Sequence, residues 1–390
     1  MAKAGRFLSK RAFELPEMII HKLMSAAERD KDVISLGPGE PDFGLSVELA
    51  RRAKRLVDLG CSHYSSTLGR ASLREAMAGK LKKENKIDCG PENVIVTAGS
   101  TEALMLGMMA TLDVGEGVLI PDPGFLAFRP MVEVLDGNPI SVQLKAREGF
   151  QFRSEYVTGI FQPEKTKIII VNSPSNPIGV VFNRKTLEEI ADFAVENDLL
   201  IFSDEAYEKL IYEDARHISI ASLNGMFERT LTFHTFSKSY AMCGMRVGTA
   251  AGPEHLIKAM SKLHILTSVC APTLSQELAA SALLSSQTCV GKMVKEYDRR
   301  RRTMVGRLNE MPGIECVVPK GAFYAFPDIS SFKLSSLKFA ERLLAEAKVA
   351  VVPGSEFGRC GEGFIRCSYA TALPTIEKAL ERLEKFVKEL

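Results

Sequence analysis

Two hydrophobic periods alternate along most of the chain. Residues 70–85 (RASLREAMAGKLKKEN) place apolar side chains at helical spacing with charges between them, which predicts an amphipathic helix. ENVIVTAGS (92–100) reads as a short buried strand running into a helix, TEALMLGMMATL (101–112). EGVLIPDPG (116–124) and NPISVQL (138–144) read as strands, and TKIIIVNSPSNP (166–177) as an apolar strand stopped by prolines. RKTLEEIADFAVEND (184–198) has helical spacing, whereas LLIFSDEAY (199–207) and RTLTFHTFSK (229–238) are strands that end in polar residues. Continuous apolar strands between helices predict a parallel sheet covered on both faces.

The pattern changes beyond residue 290. Residues 291–311 (GKMVKEYDRRRRTMVGRLNEM) predict one long charged helix, with Arg299–Arg302 read as a solvated face. Short strands follow (IECVVP, AFYAFP, VAVVP, GFIRCSYA), with helices near 335–347 and 374–389, which predicts a smaller α+β unit.

At 390 residues the length predicts two or three domains, at about 150 residues each. Lys+Arg 50 against Asp+Glu 48 leaves +2, so no overall basic field favours a nucleic-acid or anionic-membrane partner. No apolar run approaches the roughly 18 to 20 residues of a membrane span, and the N-terminus lacks the pattern of a secretory signal. The eight cysteines form no C-x-x-C pair, so reduced thiols and a cytoplasmic location are expected.

Ligands of α/β sheets sit beyond the carboxyl ends of strands. There the chain places Gly99-Ser100-Thr101 at a helix start, then Asn172 and Asn176, then Asp204 and Tyr207. Thr235, Ser237, Lys238 and Arg246 follow the last strand. A helix start with hydroxyls suits a phosphate, and Arg246 suits the same anion. A partly desolvated Lys238 suits a nucleophile and Schiff-base partner, and Asp204 suits a protonated ring nitrogen. Each residue alone has an ordinary explanation as a cap, a turn, a packing group or a solvated charge. Their joint order at consecutive strand ends points to a phosphorylated aromatic cofactor bound through an imine.

The segments GPGEPDF (37–43), HYSSTLGRASLREA (63–76), TAGSTEAL (97–104), NSPSNPIG (172–179), SDEAYEKLIY (203–212), TFSKSYAMCGMRVG (235–248), PKGAFYAFP (319–327) and FIRCSYA (364–370) carry a resemblance. The chain resembles the class I/II aminotransferases, fold type I pyridoxal-phosphate enzymes, in their archaeal aspartate and aromatic aminotransferase branch. The resemblance implies an aspartate-aminotransferase-like α/β fold, with a mostly parallel central sheet flanked by helices. It implies a large cofactor-binding domain at 45–289. A smaller α+β domain is expected from 1–44 and 290–390, with an N-terminal lid.

Carried over by the resemblance, Lys238 is the Schiff-base lysine and proton shuttle. Asp204 pairs with the pyridinium nitrogen, and Tyr207 and Asn176 contact the ring 3′-oxygen. Ser100, Thr101, Thr235, Ser237 and Arg246 hold the phosphate of pyridoxal 5′-phosphate, and Phe125 stacks on the ring. Arg366 clamps the substrate α-carboxylate, helped by Asn176 and the Gly39 backbone. Tyr64 reaches the phosphate of the neighbouring subunit, which implies a homodimer with shared active sites. The implied reaction is ping-pong transfer from an L-amino acid to 2-oxoglutarate. The same cofactor residues would serve a cysteine-conjugate-type β-lyase or a non-catalytic aminotransferase-like domain.

Many aspartate-preferring relatives place a Lys where this chain has Thr101. That favours aromatic or broad apolar substrates, unless Lys10 or Arg11 supplies the missing cation. Phe13, Leu15, Ile19 and Ile20 would line an apolar lid. Cys243, inside the lysine segment, is expected to react with thiol reagents if exposed. A nicotinamide dehydrogenase is rejected for want of G-x-G-x-x-G. The short stretch before the resemblance is not expected to hold a DNA-binding domain.

Overall fold

The computed structural model describes residues 7–15, 19 and 30–390. Its strands are β1 (Ile34–Ser35), β2 (Val94–Thr97), β3 (Gly117–Asp122), β4 (Asn138–Gln143), β5 (Thr166–Asn172), β6 (Leu200–Asp204), β7 (Thr230–Thr235), β8 (Gly248–Ala251), β9 (Tyr324–Ala325), β10 (Val349–Ala350), β11 (Val352–Pro353) and β12 (Ile365–Ser368). Seven of them form the main sheet in the order β2-β8-β7-β6-β5-β3-β4. Strands β3 to β7 run parallel, and β8 runs antiparallel to both β7 and β2.

The continuous apolar run of β5 is explained by burial on both faces. Ile168 and Ile170 pack with Phe202, Phe233, Leu104 and Met108 on one face. Ile169 and Val171 pack on the other with Leu187 and Ile190 of the helix Arg184–Glu196. Asn183 caps that helix, its side chain accepting from Thr186 N at 2.9 Å. Gly107 lets the helix Ser100–Thr111 approach the sheet, since a Cβ there would lie 3.1 Å from the Phe202 ring.

Residues 34–36 meet the C-terminal part of the chain. β1 pairs in parallel with β10, Ile34 opposite Val349 and Ser35 opposite Ala350. Ser368 N donates to Leu36 O at 2.7 Å. Leu36 thereby joins a core with Tyr297, Phe323, Tyr324, Leu343, Ile365 and Leu380. β11, β12 and β9 form a small antiparallel sheet over it.

Three features depart from the sequence reading. IECVVP (314–319) forms no strand, only a bridge from Glu315 to Asp328. The hydrophobic pattern gave no sign of β8, whose residues are Gly-Thr-Ala-Ala. The Arg299–Arg302 run is not a uniformly solvated face, because Arg300 and Arg301 are buried. Arg300 pairs with Asp42 at 2.8 Å and Glu296 at 3.0 Å. Arg301 pairs with Glu213 and Asp298, both at 2.7 Å, and donates to Pro319 O at 3.0 Å. A guanidinium tolerates burial only with such partners. The helix Thr288–Glu310 lies against residue 42 on one side and residue 319 on the other, and so supplies them.

Candidate active site

The carboxyl ends of β2, β5, β6 and β7 open onto one cleft of about 260 Å³. Beyond β2, Gly99 (φ 88°) begins the helix Ser100–Thr111 with no side-chain cap. The first-turn N–H groups of a helix have no intrahelical acceptor, so Ser100 and Thr101 present free donors and the positive end of the dipole. Arg246, itself at φ 50°, is steadied by Cys243 O (3.0 Å) and Ala98 O (3.3 Å). Its guanidinium sits against Gly99, where a Cβ would lie 2.5 Å from Arg246 Nη2. Thr235 caps the one-turn helix Phe236–Ser239, accepting from Ser237 N at 3.2 Å and donating to Ser237 Oγ at 2.9 Å. Hydroxyls, free amides and one guanidinium therefore converge on a single spot, which is the donor set of a phosphate site.

Lys238 stands on that short helix and donates from Nζ to Gly39 O at 2.5 Å. Asp204 ends β6, fully buried, and accepts from Ala206 N at 3.2 Å. Among the described residues it has no ion-pair partner within salt-bridge distance. Burial pushes its carboxyl up to about 6, although the Ala206 N–H, His234 and Lys238 pull the other way. A buried carboxylate of this kind calls for a cation from a ligand.

A second layer of charge lies behind Asp204. Glu205 accepts from Ser219 Oγ (2.6 Å), Ser203 Oγ (2.9 Å) and Asn85 Nδ2 (3.1 Å), and pairs with His217 Nε2 (2.8 Å). Glu208 pairs with Lys80 and lies 3.3 Å from His234 Nε2. Burial would raise both carboxyls. The facing histidines, and Lys80 at Glu208, outweigh it and hold them well below the usual carboxylate range. Burial would lower His234, but Glu208 and Glu205 overcome it and raise its pKa.

On the opposite wall Arg366 of β12 donates from Nη1 to Asn176 Oδ1 (2.9 Å) and from Nη2 to Gly37 O (2.7 Å). Its Nε–H is buried without a partner among the described residues. Asn176 is held by its own N–H, which donates to Asn172 Oδ1 at 2.9 Å. Tyr207 Oη lies 2.8 Å from Tyr324 Oη. Burial, and then the Tyr324 phenol, push Tyr207 well above its ordinary value, so it stays a proton donor at neutral pH.

All the site residues read from the sequence line this cleft except Tyr64, which is 84% exposed. Gly37 O accepts from Arg366, and Gly39 O accepts from Lys238. Cys243 is half-buried, its Sγ 3.2 Å from Ser237 O, and burial raises its thiol pKa. Lys10 and Arg11 do not line the cleft, and Arg11 instead faces Asp136 at 3.3 Å. Leu15 lines an adjoining cavity of about 700 Å³ that shares Phe125 and Leu126 with the cleft. Phe13 is exposed and Ile19 partly so, while Ile20 lies outside the described residues. The sequence reading missed Tyr324, although it stands in the quoted PKGAFYAFP segment. A phenol within a short apolar run was the available signal. The layer behind Asp204 was also missed, because its members come from four separate stretches.

Residues 31–383 match the model of the family described as aminotransferase class I and II. The chain belongs to that family, whose members use pyridoxal phosphate to move amino groups between amino acids and 2-oxo acids. It is 48% identical to an aspartate aminotransferase of Pyrococcus abyssi, covering 95% of each chain. It is 44% identical to aromatic-amino-acid aminotransferase 2 of Thermococcus litoralis, again over 95% of each. The solved aromatic aminotransferase of Pyrococcus horikoshii superposes with a TM-score of 0.90 at 47% identity, over 94% of this chain and 99% of that one.

Proposed function

We propose that the chain transfers the amino group of an aromatic amino acid or aspartate to 2-oxoglutarate, with aromatic donors favoured. The observation that carries this reading is the cleft itself, which sets an amine, a cation-free buried carboxylate and a half-satisfied guanidinium around one space.

The residues fit pyridoxal phosphate. Ser100, Thr101, Thr235, Ser237 and Arg246 would hold its phosphate, and Lys238 would hold it covalently through Nζ. Asp204 would keep a proton on the ring nitrogen, Tyr207 and Asn176 would donate to the ring hydroxyl oxygen, and Phe125 would cover the ring. Bound there, the cofactor supplies a sink for negative charge developing at the substrate Cα.

Arg366 receives the α-carboxylate through the Nη protons not given to Asn176 and Gly37. That grip keeps the carboxylate in place, which favours proton removal at Cα over loss of carbon dioxide. Lys238, once free, is the base whose Nζ would take the Cα proton and pass it on rather than back to Cα. Among the described residues lining the cleft the cations are Lys238, Arg246 and Arg366, and each already has a role. Thr101 offers no charge for a second carboxylate, and the adjoining cavity past Phe125 and Leu126, although Arg129 and Arg359 also line it, has a mostly apolar surface.

We divide the chain into a large domain (45–289) and a small one (1–44 with 290–390). In support, the main sheet lies within residues 94–251 and the remaining strands lie outside it. We further propose a homodimer. Val47, Leu59, Tyr64, Leu266 and Leu284 are exposed, and hydrogen bonds tie their segments into one face: Thr273 to His63 O, Ser285 to Glu48, and His264 to Thr67 O. An apolar face of this kind marks an interface, and it would carry Tyr64 to the neighbouring cleft. We place the protein in the cytoplasm, since all eight cysteines are free. No helix among the described residues is long and apolar enough to cross a membrane.

The test is a kcat/KM panel of Tyr, Phe, Asp, Ala and kynurenine against 2-oxoglutarate, with aromatic donors expected to exceed Asp. Borohydride should trap the cofactor on Lys238. Trapping on a different lysine sinks the reading.

A further inference from the structure

Tyr324 is buried at the junction of three functional groups. Its hydroxyl lies 2.8 Å from the Tyr207 hydroxyl. Its ring faces the Arg366 guanidinium at 4.4 Å. A Cβ on Gly39, whose carbonyl holds Lys238, would lie 2.6 Å from Tyr324 Oη. Phe323 packs edge-on against it at 4.8 Å and fixes the ring.

A phenol has one proton and two lone pairs. If Tyr207 donates its proton to the cofactor's ring oxygen, Tyr324 must be the donor in the pair. Hydrogen bonds in series strengthen one another, so a proton from Tyr324 makes Tyr207 the better donor. We propose that Tyr324 is a positioning residue for the transamination, acting through Tyr207 to stabilise the ionised ring oxygen of the bound cofactor. This rests on the reading of Tyr207 as a ring-oxygen contact. The charged groups acting on Tyr207 are Arg366 from β12 and Asp204 from β6, and Lys238 stands at Gly39 beside Tyr324. The stacked Arg366 links the pair to the arm that receives the substrate carboxylate.

The test is a pH titration of the visible absorbance of the resting holoenzyme, with no turnover. Tyr324→Phe keeps the ring and its packing and removes only the hydroxyl. Its midpoint should rise by about 0.5 to 1 unit, and kcat should fall about threefold to tenfold with little change in KM. Tyr207→Phe should raise the midpoint further, and adding Tyr324→Phe to it should change nothing more. A more acidic phenol at 324, 3-fluorotyrosine, should move the midpoint down. An unshifted midpoint in Tyr324→Phe alongside a shifted one in Tyr207→Phe overturns the proposal alone. If neither variant shifts, the Tyr207 reading falls and takes the proposal with it. A shift in the double variant beyond that of Tyr207→Phe means that Tyr324 does not act through Tyr207, which also overturns it.

Discussion

Asp204 holds a carboxyl whose pKa burial raises to about 6. A raised carboxyl makes its ionised form costly in the native state. Without a cation, stability therefore falls as pH climbs from the ordinary value of 3.8 towards 6. A positively charged ring nitrogen removes that cost. Cofactor affinity in the wild type should accordingly rise as pH passes through 6, and Asp204→Asn should flatten the rise in a fluorescence titration. The Asp204→Asn apoenzyme should also be more stable than the wild-type apoenzyme at pH 7, by on the order of 1–3 kcal/mol, read as a higher Tm. At this scale much was legible. Asp204 ends a strand, and Asn176 and Lys238 follow strands read from the pattern; strand ends are where ligands bind. Tyr324 was not legible because its role depends on Tyr207, 117 residues away. The burial of Arg300 and Arg301 was hidden because charge runs reveal nothing of their partners.

Among the elements, β8 shows how packing overrides pattern. Its small side chains give no periodic signal, yet it closes the gap between β2 and β7. Gly248 is where the phosphate helix rests on the sheet. A Cβ there would press on Ser100 N and lie 2.9 Å from His234 O. Gly248→Ala should destabilise the fold by about 1–3 kcal/mol, measured by urea unfolding. It should also weaken cofactor binding by displacing the Ser100 and Thr101 amides. Strands with branched apolar side chains on both faces, such as β5 and β6, were read close to their observed limits. The helix Thr273–Leu284 gave no clear stripe, because Leu278, Ala279, Ala280 and Ala282 are all buried.

At the scale of the whole molecule, Tyr64, Leu266 (80%) and Leu284 (78%) are exposed in the single chain, on the face proposed as the dimer interface. Leu266→Glu should place unpaired charges at that face and shift sedimentation to the monomer. Turnover should fall more than tenfold if Tyr64 completes the neighbouring site. A fully active monomer contradicts the shared site. The change of pattern near residue 290 is what suggests two units, and the main sheet lies within residues 94–251. The meeting of residues 34–35 with 349–350 was not legible from pattern alone, since β1 and β10 are two residues each and pair across most of the chain.

That meeting also sets an order of assembly. The phosphate arm of the cleft, from Gly99 to Arg246, belongs to one continuous stretch of chain. The carboxylate arm needs Arg366 bonded to Gly37, a closure over 329 residues. Contacts of such separation form late. A folding molecule should thus capture its cofactor before it can grip an amino acid. During refolding, cofactor absorbance should recover ahead of turnover, so that a half-made enzyme carries a reactive group yet admits no substrate to it.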